Sequence, residues 1–290
     1  MFTKILVATD GSEASDHIIN CLHQLGPLGT KEVVLAHALG IRHLDSLKIT
    51  LTRLVEPSLS KQKYNLEKQG FKVKIEIGPS SPSFEINRIG EKENVSLIAL
   101  GTHGMGLSSH FLGGMASEII HNSSKPLLII RLLIKEKAGI LCSEPACLDL
   151  TQSLLYATDF SDTAHRAFTY VERMIESGWR KVTLMHVQDA VRIGNHLKNR
   201  LEEFNKIDQE RLEMLKAKLV EKGAKETKII LPYGSTISEI VKESQQDNHS
   251  LIVMGSQGRG FIKEVFLGSV SHQVVRLASL PVLLIPAIRG

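Results

Sequence analysis

Near the C-terminal end, Gly255-Ser256-Gln257-Gly258 is followed by nine residues and then by Gly268-Ser269-Val270-Ser271. Glycines let a backbone approach a bound group closely, amides at a helix start point at an anion, and hydroxyls donate further hydrogen bonds. A polyphosphate is what such a segment suits. Asp159 closes an earlier apolar run, and Gly255 closes a later one, Leu251-Ile252-Val253-Met254. In an open parallel sheet, ligands bind beyond the carboxyl ends of strands, where the strand order reverses.

The elements that must hold these residues are legible as short apolar runs alternating with helix-period segments, the mark of a parallel sheet joined by crossover helices. The predicted strands are 4–8, 32–37, 72–77, 96–100 and 126–130, then 153–157, 181–186, 226–231, 250–254 and 281–285. Leu97-Ile98-Ala99-Leu100 and Leu251-Ile252-Val253-Met254 are apolar on both faces, as central strands covered by helices should be. The charged stretches 44–70 and 194–223 carry recurring Leu and Ile and read as surface helices ending at glycine stops.

The pattern is written twice. Ala8-Thr9-Asp10 returns as Ala157-Thr158-Asp159, and His37 as His186, both 149 residues on. Gly101-Thr102-His103-Gly104 returns as Gly255-Ser256-Gln257-Gly258, and Gly113-Gly114 as Gly268-Ser269. Fixed offsets of this kind mean duplication. The reading is therefore α/β with two tandem doubly wound domains, 1–135 and 150–290. The stretch 135–150, with Gly139, Pro145, Cys142 and Cys147 and no sustained periodicity, is read as a linker.

Composition narrows the function. A chain of 290 residues, 42% apolar and 23% charged, has the make-up of an ordinary globular protein with room for two cores. Its net charge of +4 is scattered and its aromatics are only 5%, which argues against nucleic acid as a partner. The most apolar stretch, 127–134, is interrupted by Arg131 and is far shorter than the ~20 residues of a membrane span. The first ten residues lack the pattern of a signal peptide. Three cysteines make no disulfide framework, so reduced thiols in a cytoplasm are expected, with Cys21 packed on the first helix.

Together, the Ala-Thr-Asp strand end, the His-Val of the second strand and the two glycine turns nine residues apart resemble a tandem universal stress protein over nearly the whole chain. That resemblance implies two five-stranded parallel sheets of order 3-2-1-4-5, each flanked by helices. Family members that bind ATP use this glycine spacing, so the second copy resembles the nucleotide-binding branch. Residue by residue, it implies that Asp159 and the backbone of Val187 hold the adenosine, beside Ala157, Thr158 and Met254. Gly255, Ser256, Gly258 and Arg259 would line the phosphate path, and Gly268, Ser269, Val270 and Ser271 would close it. The chemistry agrees: phosphates would repel a carboxylate, whereas a ribose hydroxyl or adenine amine can donate to one.

The first copy departs from the pattern. Eight residues, not nine, separate Gly104 from Gly113, and Gly114 and Ala116 stand where Ser269 and Ser271 supply hydroxyls. Loss of two such hydrogen bonds weakens phosphate binding about 30-fold or more. The first site, built on Asp10, Ala38, Gly101, Gly104, Gly113 and Gly114, is expected to be weaker or vacant. Bland roles compete throughout: Asp10 and Asp159 could cap the following helices, the glycines could only mark turns, and His37 and His186 could simply pack. Arg259, Lys263 and His272 lie in or near the cradle, where charged side chains are often merely solvated, and Ser108-Ser109-His110 resembles nothing catalytic.

Neither the lysine-bearing loop of common ATPases nor the glycine turn of dinucleotide enzymes is present, and no motif positions a general base. No catalytic residue and no protein-held metal is assigned. The expected function is an ATP-binding stress-response regulatory protein, with ADP or AMP as alternative ligands, Mg2+ as companion of the polyphosphate and an unidentified protein partner. The alternatives are a slow ATPase or phosphotransferase using Ser269 or Ser271 as acceptor, and an interaction scaffold without nucleotide. Because family members commonly pair through the last strand, the resemblance also implies that 126–130 and 281–285 meet as an intra-chain pseudo-dimer, with a homodimer of chains as a further expectation.

Overall fold

A computed structural model describes the chain apart from residues 41–44, 102–113, 138–139, 146–149, 195–196, 247–248, 259–266 and 288–290. For 45–46, 114–115, 132–137 and 140–145 it describes the backbone alone. The chain divides into two compact units between Leu148 and Asp149.

In the first unit, strands β1 (Lys4–Ala8), β2 (Glu32–Ala38), β3 (Lys72–Gly78), β4 (Leu97–Gly101) and β5 (Leu127–Ile130) form a wholly parallel sheet in the order β3-β2-β1-β4-β5. The crossovers run through helices α1 (Glu13–Cys21), α2 (Asp45–Lys68), α3 (Pro82–Lys92) and α4 (Gly114–Asn122). Runs such as Ile5-Leu6-Val7 and Leu97-Ile98-Ala99-Leu100 are buried because helices cover both faces. Gly70 takes φ +91 after α2, the left-handed conformation that ends a helix most cheaply at glycine.

Two expectations are corrected here. The stretch read as a bare linker contains an antiparallel hairpin, β6 (Leu132–Lys137) and β7 (Ile140–Pro145), with Lys137 opposite Ile140. Backbone pairing needs no side-chain period, so the sequence did not announce it. Cys21 is buried as expected, but it is disulfide-bonded rather than a reduced thiol. Helix α1 runs against β7, which brings it to the cysteine-bearing segment in a way that sequence separation conceals.

The second unit repeats the design with β8 (Leu154–Ala157), α5 (Asp162–Glu176) and β9 (Lys181–Met185), followed by β10 (Gln188–Asp189), α6 (Ala190–Ile193) and α7 (Leu201–Glu221). It continues with β11 (Glu226–Ile230), β12 (Tyr233–Gly234), α8 (Thr236–Ser244), β13 (Leu251–Gly255), α9 (Ser269–Leu277) and β14 (Val282–Ile285). Its sheet is parallel in the order β11-β9-β8-β13-β14, so the direction of strand addition reverses between β8 and β13. Helix α5 turns Ala164, Ala167, Phe168, Val171, Met174 and Ile175 into the core at helical spacing. The small β10–β12 pair extends the β9 and β11 ends, aligning Gln188 with Tyr233. Gly223 ends α7 at φ +101.

Candidate functional site

Where β8 ends, the chain turns sharply into α5. The Thr158 amide donates to Met185 O at 2.9 Å, and Thr158 Oγ1 accepts from the Phe160 amide at 3.0 Å. Phe160 itself takes φ +58. The N-cap of α5 is Ser161, whose hydroxyl accepts from the Ala164 amide at 3.2 Å. Asp159 therefore does not serve as the cap: its Oδ1 accepts from the Ser161 amide at 3.1 Å. Its Oδ2 reaches across to the glycine turn, 2.5 Å from where a Cβ on Gly258 would stand. Below it, burial pushes the Tyr156 phenol up, so the hydroxyl stays a neutral donor to Ala164 O at 2.7 Å.

In the first unit, Asp10 Oδ1 accepts from the Ser12 amide at 3.0 Å, from the Ser12 hydroxyl and from the Ser15 hydroxyl at 2.7 Å. Ala164 stands at the position equivalent to Ser15 and supplies no such donor to Asp159. Ser12 is the N-cap of α1, so Asp10 is no more the cap than Asp159 is; the two differ in that hydroxyls of Ser12 and Ser15 also bind Asp10.

The glycine turns are drawn together by the backbone. The Ser256 amide donates to Ile285 O at 2.8 Å, and Ser256 O accepts from the Gly268 amide at 2.7 Å. A Cβ on Gly255 would lie 2.9 Å from Thr163 Cγ2 and 3.0 Å from the Thr163 carbonyl carbon, so β13 abuts the first turn of α5. Gly268 is the N-cap of α9 and no side chain caps that helix. A helix start leaves its first amides without intrahelical partners and carries partial positive charge, which favours an anion.

These features border one cavity of about 550 Å3, within the range of small-molecule sites. Of the residues anticipated from sequence, Ala157, Thr158, Asp159, Val187, Met254, Gly255, Gly258, Gly268, Ser269, Val270 and Ser271 line it. Ser256 does not; it lies behind the turn, buried, and its hydroxyl has no hydrogen-bond partner among the described residues. Arg259 and Lys263 fall outside the described residues. One expectation needs correction: the Ser271 hydroxyl donates to Gly255 O at 2.9 Å, so its proton is already in use and its role is to tie α9 to β13. In the first unit, Asp10, Ala38 at the end of β2, Gly101 at the end of β4 and Gly114 at the start of α4 are described, whereas Gly104 and Gly113, like Ser108, Ser109 and His110, are not.

The opposite wall was missed from sequence. Ile193 of α6, Phe204, Ile207, Asp208 and Arg211 of α7, Ile240 of α8, and Gln188 and Asp189 of β10 all line the cavity. The charged stretch 194–223 with its recurring Leu and Ile reads as a surface helix, and nothing in that pattern marks Asp208 as buried. In the fold Asp208 is buried, and its carboxylate accepts from Gln188 Nε2 at 2.9 Å and Arg211 Nη1 at 3.0 Å, with His186 Nε2 at 3.5 Å. The other ring nitrogen of His186 donates to Thr158 O at 2.7 Å, consistent with a packing role. Phe160 lies against the His186 ring, centroids 4.7 Å apart, under the Arg211 guanidinium at 5.2 Å.

The cation of Arg211 is thus paired at this end, while the start of α9 presents backbone amides, with the Asp159 carboxylate beside Gly258. Among the described residues no group of three His, Cys, Asp or Glu side chains is placed to hold a metal ion. No helix among them is long and apolar enough to cross a membrane.

The sequence profile of the universal stress protein family matches residues 1–131 and again 151–286. A universal stress protein of Methanocaldococcus jannaschii is 33% identical over 153 residues, a match covering 46% of this chain and 94% of that protein. One from Bacillus subtilis is 31% identical over 144 residues, covering 46% and 97%. The crystal structure of a universal stress protein from Archaeoglobus fulgidus superposes with a TM-score of 0.75, covering 98% of each chain at 23% identity, a likeness of fold.

Proposed function

The chain belongs to the universal stress protein family, two copies of whose domain it carries, and we propose that its second copy binds an adenine nucleotide through which the protein acts as a stress-response regulator. The observation that carries this reading is the uncapped start of α9, joined through Ser256 O to the Gly255 turn and facing a cavity that also contains Asp159.

In this reading the polyphosphate lies against the amides of Ser269, Val270 and Ser271 at the start of α9. Asp159 Oδ2 accepts from the nucleoside, a ribose hydroxyl or the base amine. Val187, past the end of β9, offers backbone groups to the base. Mg2+, when present, would be held by the phosphates, which supply the oxygen ligands it favours.

The phosphotransfer alternative is weakened by the Ser271 hydroxyl, already engaged with Gly255 O. Ligand released by heat from freshly purified protein and identified by mass tests the proposal, followed by calorimetric titration of the emptied full-length chain with ATP. An adenine nucleotide bound intact, with affinity lowered by Asp159→Ala, is the expected result. Protein that carries no nucleotide and gives no heat with ATP, ADP or AMP would refute it, and steady release of ADP over many turnovers would select the enzyme instead.

A further inference from the structure

The wall formed by β10 and α7 exists in only one of the two copies. Helices α2 and α7 stand in register 153 residues apart: Leu59 and Leu66 match Leu212 and Leu219, all four fully buried, ahead of the glycine stops Gly70 and Gly223. At that register Val55 replaces Asp208 and Ser58 replaces Arg211. On the strand side, Leu39 replaces Gln188 and Gly11 replaces Phe160, each 149 residues earlier. Space agrees with sequence: a Cβ on Gly11 would sit 2.8 Å from Ser58 Oγ, just as Phe160 lies beneath Arg211. Duplication kept the histidine and changed its surroundings.

Within this wall the side-chain amide of Gln188 has one orientation open to it. Asp208, ion-paired with Arg211, is a carboxylate and can only accept hydrogen bonds, so the amide must turn its NH2 group toward Asp208 Oδ2, where Nε2 stands at 2.9 Å. The opposite orientation would set oxygen against oxygen in a buried place, which is unfavourable. Gln188 lines the cavity, and no described protein group donates to its Oε1. A side chain held this way keeps its NH2 group at Asp208 and leaves Oε1, an acceptor, for whatever occupies the base end.

We infer that Gln188 selects the base of the nucleotide, its Oε1 accepting a hydrogen bond from the exocyclic 6-amino group of adenine, and that Asp208 is the positioning residue that fixes the amide in this sense. The inference rests on the nucleotide reading above. Guanine carries an oxygen at the 6-position, so the same Oε1 meets a second acceptor and the base is disfavoured. The first copy, with Leu39 and Val55, has no such selector, whatever it binds.

Calorimetry on the full-length chain with ATP, GTP and the triphosphate of purine riboside, which is ATP without its 6-amino group, tests this. One neutral hydrogen bond corresponds to about a 5-fold preference for ATP over the deaminated analogue, and to a larger gap for GTP, where acceptor faces acceptor. Gln188→Leu, which installs the first copy's residue, should bind ATP and the analogue equally. Asp208→Asn, whose side-chain amide can accommodate Gln188 in either sense, should narrow the ATP-to-GTP ratio while Gln188 is still present, a change that simple loosening of the site would not cause.

If the wild type binds ATP but does not distinguish it from the deaminated analogue, the inference falls and the nucleotide reading stands. If the wild type binds none of the three, both fall. Should Gln188→Leu fail to fold, the ligand comparison on the wild type decides alone.

Discussion

Gly258→Ala separates binding from folding at a single position. The added Cβ would stand 2.5 Å from Asp159 Oδ2, with the next nearest atom, Asp159 Cγ, at 3.6 Å. Gly258 does not need a left-handed backbone, so the whole penalty is steric and falls on one carboxylate. Asp159 can swing away by giving up the bond from the Ser161 amide to its Oδ1, a loss of about 1.5–3 kcal/mol for a bond to a charged group, with Ser161 still capping α5. A carboxylate displaced in this way cannot accept from the nucleoside. A hydrogen bond to a charged group contributes about 1.5–3 kcal/mol, so ATP affinity should fall roughly 10- to 150-fold. Unfolding in urea and calorimetric titration on the same preparation read the two quantities. Wild-type affinity in the variant would refute the placement of Asp159 at the ligand, and a stability loss well above about 3 kcal/mol would refute the view that only a side chain moves.

Gly255→Ala should behave in the opposite way: its Cβ meets the Thr163 carbonyl carbon at 3.0 Å and the Ala164 amide at 3.1 Å, backbone that cannot rotate aside, so urea denaturation should report a loss of about 1–3 kcal/mol. Ser271→Ala leaves Gly255 O without its 2.9 Å donor in a buried place and should lower stability by about 1–3 kcal/mol by the same assay. Acid should weaken the first domain through Glu93, whose carboxyl is held down at about 2, from an ordinary 4.5, by hydrogen bonds from Lys4 and then Lys74, each at 2.7 Å. Because the folded value is the lower one, this stabilisation is complete above the ordinary carboxylate value and disappears as pH falls toward 2. Unfolding followed across that range should therefore show a shallower acid-side loss in Glu93→Gln, and an unchanged slope would reject the assignment.

The contrast between Gly258 and Gly255 also shows what could be read without coordinates. Both glycines stand in one short motif that suits a close approach, although turns alone would also call for glycine. Which neighbour approaches is another matter: a carboxylate in one case, a helix backbone in the other. Likewise Asp10 and Asp159 are indistinguishable as strand-end acids until Ser15 is seen donating to the first, with Ala164 in its place beside the second. Ser269 and Ser271 read alike as hydroxyl donors, yet the second is turned to Gly255 O.

Duplication, strand positions, the parallel α/β architecture and the glycine cradle were all determined by the sequence itself, because they rest on local physics: apolar periodicity, crossover length and the backbone freedom of glycine are properties of neighbouring residues. The far wall was decided only by the tertiary structure. Asp208 lies 20 residues from Gln188, on a helix whose charges follow a solvated pattern, and it becomes a buried acceptor only when α7 is laid across the end of β9. The hairpin at 132–145 and the disulfide of Cys21 belong with it. A charged side chain's partners are set by which elements meet in space, and that information is carried by the packing of the whole domain rather than by any window of its residues.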